Sequence, residues 1–124
     1  MTAWTWLAIA GAGAVGAPLR YVVDATISNR YRPLFPFGTY VVNITGCFVL
    51  GCITGLALYH SLAKTTVVIV GSGLVGAYTT FSTFTLETTI LVQRGERRLA
   101  LWNVAGSVLL GLAAAASGVA LVAL

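Results

Sequence analysis

Four windows without a single Asp, Glu, Lys or Arg, Thr2–Leu19, Pro33–Ala63, Thr65–Leu86 and Leu99–Leu124, take up most of the 124 residues. Each reaches the roughly 18 to 20 residues that carry a helix across a hydrocarbon core. Only 8% of the chain is charged and 58% is hydrophobic, against about 25% charged residues in an ordinary soluble domain. The windows predict an all-α integral membrane protein with one four-helix transmembrane domain over residues 1–124 and approximate spans 3–26, 35–60, 65–93 and 98–123. The stretches between spans are short, so function is expected inside the membrane. The first apolar run resembles a secretory signal, but no basic residue precedes it, and a retained first helix is expected.

The third window contains Gly76-Ala77-Tyr78-Thr79-Thr80-Phe81-Ser82-Thr83-Phe84-Thr85. Hydrocarbon cannot hydrogen-bond a loosened backbone, so a poorly helical, hydroxyl-rich segment at membrane depth persists only where protein buries it or where it lines a wet path. The string predicts a third helix broken in mid-membrane and the passage of an ion or solute.

The net charge of +4 does not point to nucleic acid, because the basic residues flank the spans. With four spans, Arg20, Arg30, Arg32, Arg94, Arg97 and Arg98 fall on one side and Lys64 on the other. The positive-inside rule then places the loops between spans one and two and between spans three and four in the cytoplasm. Two G-x-G-x-x-G strings, Gly11–Gly16 and Gly71–Gly76, follow no predicted strand, and small residues inside spans read as helix-packing surface. Cys47 and Cys52 stand about 140° apart on a helix and read as small apolar residues with no metal site around them. One histidine, His60, and three acids, Asp24, Glu87 and Glu96, form no catalytic constellation, so an enzyme is set aside.

Several polar and aromatic residues remain. Arg20 and Asp24 share a helical face and can neutralise each other, either as an interfacial anchor or as a charged vestibule that draws in an anion. Asn43 lies within the second span, one turn after Thr39. It can form an interhelical hydrogen bond or offer its N–H groups to a ligand. Phe81 and Phe84, spaced as packing residues, are surrounded by Thr79, Thr80, Ser82, Thr83 and Thr85. Ring edges carry partial positive charge, and with Asn43 and the hydroxyls they would suit a small hard anion, whose lost hydration must be replaced. Glu87, near a span end, is a supporting candidate.

At these residues the chain resembles the Fluc (CrcB-type) fluoride channel family, through Gly13-Ala14-Val15-Gly16-Ala17-Pro18-Leu19-Arg20-Tyr21, Phe37-Gly38-Thr39-Tyr40-Val41-Val42-Asn43-Ile44-Thr45-Gly46 and Gly76 to Phe84 continuing to Glu87. The resemblance implies a bacterial cell-membrane channel that passes fluoride out of the cytoplasm and lowers its toxicity, built as an antiparallel, dual-topology dimer with two pores. It implies no catalytic cofactor, but a structural sodium ion held by the backbone carbonyls of Gly76 and Thr79. By position, Asn43 would donate to the ion and Phe81 and Phe84 would line its path. Thr80, Ser82, Thr83 and Ser107 would add polar contacts, with Arg20 near the cytoplasmic mouth.

Two departures from the family stand out. Asn103 occupies a place where the family pattern has a tyrosine one turn before Ser107. The distribution of basic residues is also lopsided, which predicts one orientation and pairing with an inversely oriented paralogue, the homodimer being the alternative. The rival classes are a four-helix multidrug and proton antiporter, which needs an acid in its first span ahead of Asp24, and a noncatalytic subunit of a larger membrane complex.

Overall fold

The computed structural model describes residues 1–31 and 34–124; Arg32, one of the basic residues counted above, lies outside them. Every regular element among the described residues is helical. Helix α1 covers Ala3–Tyr31, α2 Phe37–Tyr59, and α6 Arg97–Ala123. Between α2 and α6 the third span, Lys64–Gln93, is made of four pieces. These are α3 (Lys64–Val67), a π-helical segment (Val68–Val75), α4 (Gly76–Tyr78) and α5 (Phe81–Gln93). All four spans are long and apolar enough to cross a membrane. Their outward faces carry large apolar side chains, among them Trp4, Leu58, Leu101, Trp102 and Leu109. Water would not tolerate so extensive an apolar surface, whereas acyl chains would.

Small residues set the packing. The most extensive contact joins α2 to α6, followed by α1 against the π-helical segment. A side chain on Gly118 would meet the Cys52 amide at 2.8 Å, and one on Gly51 would meet Ala115 Cα at 2.9 Å. The two backbones therefore touch directly, as small residues permit in a membrane, where packing replaces the hydrophobic effect as the driving force. His60 fastens the end of this pair, with Nε2 2.8 Å from the Val122 carbonyl. The two glycine strings meet in the same manner: a Cβ on Gly73 would sit 2.9 Å from Ala12 Cβ, and one on Gly13 would lie 3.6 Å from the Gly73 carbonyl.

Helix α5 ends in a Schellman turn. Gly95, at φ 81°, takes the left-handed conformation that costs glycine nothing. Its amide donates to the Val92 carbonyl at 3.0 Å and that of Glu96 to the Leu91 carbonyl at 2.9 Å. The reversal lays the start of α6 back along α5, burying Leu91 and Ala100.

Candidate functional site

Helical geometry stops after Tyr78. Thr79 is extended (φ −79°, ψ 161°), and so is Thr80 (φ −147°, ψ 124°). The Thr79 amide still donates to the Val75 carbonyl at 2.9 Å, but the Thr80 amide loses its helical acceptor and needs another. Asn43 supplies one twice over: the Thr80 amide donates to its Oδ1 at 2.8 Å, and its Nδ2 donates to the Thr80 carbonyl at 2.9 Å. The side-chain amide thus pairs with Thr80 as a neighbouring strand would. Thr80 also begins the next helix, its Oγ1 accepting from the Thr83 amide at 3.2 Å as an N-cap. Thr79 remains tied to the preceding turn through Oγ1, which donates to the Val75 carbonyl at 3.0 Å. Its methyl group occupies the place a side chain on Gly46 would fill.

A cavity of about 360 Å³ opens beside this interruption. Asn43, Gly76, Thr79, Thr80, Phe81, Phe84 and Ser107 all line it, so α2, the third span and α6 contribute together. The walls are chiefly apolar, with few polar groups. The Phe81 and Phe84 rings are tilted, with centroids 5.9 Å apart. Phe84 is partly buried, whereas Phe81 is 79% exposed. The Ser107 hydroxyl is buried and has no hydrogen-bond partner among the described residues, an uncommon state for a buried donor.

A second, smaller cavity of about 130 Å³ is lined by Arg20, Asp24, Thr39, Thr80 and Thr83 among others, and shares Thr80 with the first. Ser82 lines neither; its hydroxyl lies 3.3 Å from Thr80 Oγ1. Arg20 does not pair with Asp24 as their spacing suggests. Its Nη1 donates to the Thr79 carbonyl at 3.3 Å, while Asp24 accepts from Ser28 Oγ at 3.2 Å. The guanidinium reaches the carbonyl released by the interruption, and each of the two helical neighbours has its own partner. Thr39 donates to Glu87 Oε1 at 2.9 Å, and Glu87 Oε2 is buried without a partner among the described residues.

Cys47, read from the sequence as inert filling, lines the main cavity. Asn103 is 1% exposed, does not line that cavity, and donates through Nδ2 to Thr88 Oγ1 at 2.9 Å. Thr88 was not singled out by the sequence. Its only signal was a hydroxyl inside a span.

Four apolar spans, one interrupted between an asparagine clamp and a pair of phenylalanines at a cavity shared by three of them, define a multi-pass membrane protein. The chain belongs to the CrcB family: the family described as "CrcB-like protein, Camphor Resistance (CrcB)" matches residues 7–119. Among its relatives, the Fluoride-specific ion channel FluC 1 of Streptomyces avermitilis is 44% identical over 114 residues, covering 92% of both chains. A protein of the same name from Frankia casuarinae is 44% identical over 121 residues, 94% of both chains. The Fluoride-specific ion channel FluC of Nitrobacter winogradskyi is 40% identical over 121 residues, 96% of both.

Proposed function

We propose that this chain forms a fluoride-selective channel through which fluoride leaves the bacterial cytoplasm down its electrochemical gradient, lowering fluoride toxicity. The observation that carries the reading is the main cavity, where Ser107 Oγ, buried and without a partner among the described residues, lines the wall with Asn43, Thr80, Phe81 and Phe84. A fluoride ion entering an apolar passage must recover the hydrogen bonds it gave to water, or pay a prohibitive desolvation cost. Asn43 uses one Nδ2 hydrogen on Thr80 and retains the other, since an amide carries two donors. That hydrogen, the Ser107 hydroxyl and the edges of the two rings replace water in turn. Arg20, Thr83 and Ser82 belong to the approach, where the guanidinium raises the local anion concentration. In this reading the interruption at Thr79–Thr80 lies at membrane depth, and movement is passive, with no proton exchanged.

The functional unit is an antiparallel dimer. Phe81 turns most of its ring outward, so the wall opposite it comes from a second subunit, either an inverted copy of this chain or an inverted paralogue. The loops between α1 and α2 and between α5 and α6 face the cytoplasm, as the positive-inside rule directs. A reporter fused to this chain expressed alone is expected to show one dominant orientation; equal populations would favour the homodimer.

A structural sodium ion fits the residues in part. The Gly76 carbonyl has lost its helical partner, because the Thr80 amide donates to Asn43. The Thr79 carbonyl already accepts from Arg20, leaving one lone pair for a cation. Such an ion would tie the two subunits at their interrupted helices. Replacing sodium by N-methylglucamine is expected to lower dimer stability, read by the thermal midpoint; an unchanged midpoint argues against the ion.

The test of the pathway is fluoride efflux from proteoliposomes. Phe81→Ile and Phe84→Ile keep apolar bulk and remove the ring edge. Each is expected to slow efflux by about tenfold or more, equivalent to about 1.4 kcal/mol. Parental rates in both variants would overturn the assignment.

A further inference from the structure

Helix α5 carries both phenylalanines but has few apolar anchors of its own, Leu91 being its one buried residue. Three polar ties hold it. Asn43 grips Thr80 at its start, Thr39 of α2 reaches Glu87, and Asn103 of α6 reaches the next residue, Thr88. The third tie continues inward, because Thr88 Oγ1 donates its own proton to the Phe84 carbonyl at 2.8 Å. The result is a relay in which Asn103 Nδ2 donates to the Thr88 hydroxyl, which donates to the backbone of Phe84.

We infer that Asn103 is a positioning residue for the anion pathway: through Thr88 it fixes the axial height and rotation of α5, and with them the ring of Phe84. This rests on the channel reading above. A hydroxyl that accepts from one donor while donating to a carbonyl is held in one rotamer, and each bond strengthens the other. A threonine bonding back to the carbonyl one turn earlier also bends its helix slightly. Asn103 thereby selects the curvature of the half-helix that presents Phe81 and Phe84. Stability is a poor reason for the arrangement, since interhelical polar bonds in membranes contribute little and an apolar residue of the same size would fill the space. A buried amide that adds little stability yet meets one hydroxyl on the ring-bearing helix acts on geometry. In place of the tyrosine suggested by the family resemblance, the chain uses a shorter side chain that reaches α5 rather than the cavity.

Asn103→Leu and Thr88→Val each remove the relay while keeping the branching and the number of side-chain heavy atoms. In proteoliposomes each is expected to reduce the preference for fluoride over chloride by about fivefold, the size of one buried hydrogen bond, with a thermal midpoint close to the parent's. The double variant should be no worse than either single, because residues acting through one path are not additive. Parental selectivity in the folded single variants, or losses that multiply in the double, would overturn the inference. Should Asn103→Leu fail to fold, Thr88→Val alone decides in the same way. A parent that releases no fluoride strikes the channel reading instead. Hydrogen exchange of the α5 amides then reads the relay separately, faster in the variants if it exists and unchanged if it does not.

Discussion

Asn43→Asp is expected to reduce fluoride efflux by at least about a hundredfold, equivalent to about 2.7 kcal/mol, the largest functional effect of any single substitution in this chain. The change keeps the side-chain shape and the acceptor that receives the Thr80 amide at 2.8 Å. It removes the donor on which the Thr80 carbonyl depends, now 2.9 Å from Nδ2. A carboxylate oxygen then faces a carbonyl oxygen, two acceptors in contact with no proton between them. Leaving such a group unsatisfied costs about 1–3 kcal/mol. The same atom also places a negative charge where an anion must pass, and like charges in a poorly hydrated passage repel strongly. Asn43→Leu separates these effects. It lacks the charge but frees both polar groups of Thr80, so it is expected to lose folded protein as well as efflux. Fluoride release per amount of folded protein checks both variants.

Gly118→Leu is expected to have the largest effect on folding. A Cβ at this position meets backbone, with the Cys52 amide at 2.8 Å and the Gly51 carbonyl carbon at 3.1 Å, and backbone inside two packed helices does not yield as a flexible side chain does. The leucine must push α6 from α2 along the most extensive contact in the molecule. Overpacking of this kind costs about 3 kcal/mol or more, enough to consume much of a membrane protein's margin. The measurement is the yield of monodisperse protein and its thermal midpoint. Gly11→Leu provides the contrast: nothing among the described residues stands within 4 Å of a Cβ there, so it should keep the parental fold.

Much of this arrangement was legible in the residues themselves. Length and the absence of charge gave the four spans, because bilayer thickness translates directly into residue number. The hydroxyl string indicated where helical hydrogen bonding fails, and Asn43, Thr80, Phe81, Phe84 and Ser107 do meet at one cavity. What spacing could not supply is the identity of a neighbour. Helical periodicity assigns a residue to a face, but which helix lies against that face at a given height depends on crossing geometry. Asn103 and Ser107 stand one turn apart, yet Asn103 meets α5 at Thr88 while Ser107 lines the cavity.

Arg20 shows the same limit in another form. Its helical neighbour Asp24 is the obvious partner in one dimension, but the interruption in the third span leaves a carbonyl free at Thr79, 59 positions away, within reach of the guanidinium. Cys47, as a thiol within a span, reads as a small apolar residue. It lines the cavity because α2 turns the face that carries Asn43 and Cys47 toward the interrupted span. The tie between Thr39 and Glu87 is equally invisible in one dimension, since 48 positions separate two residues on different helices.

The proposal that donors and ring edges around an interrupted helix replace water about a small anion is decided by loading proteoliposomes containing the purified parent chain with equal fluoride and chloride and recording the release of both. Rapid release of fluoride with chloride retained is the predicted result. Release of neither ion, or of both at the same rate, would contradict it.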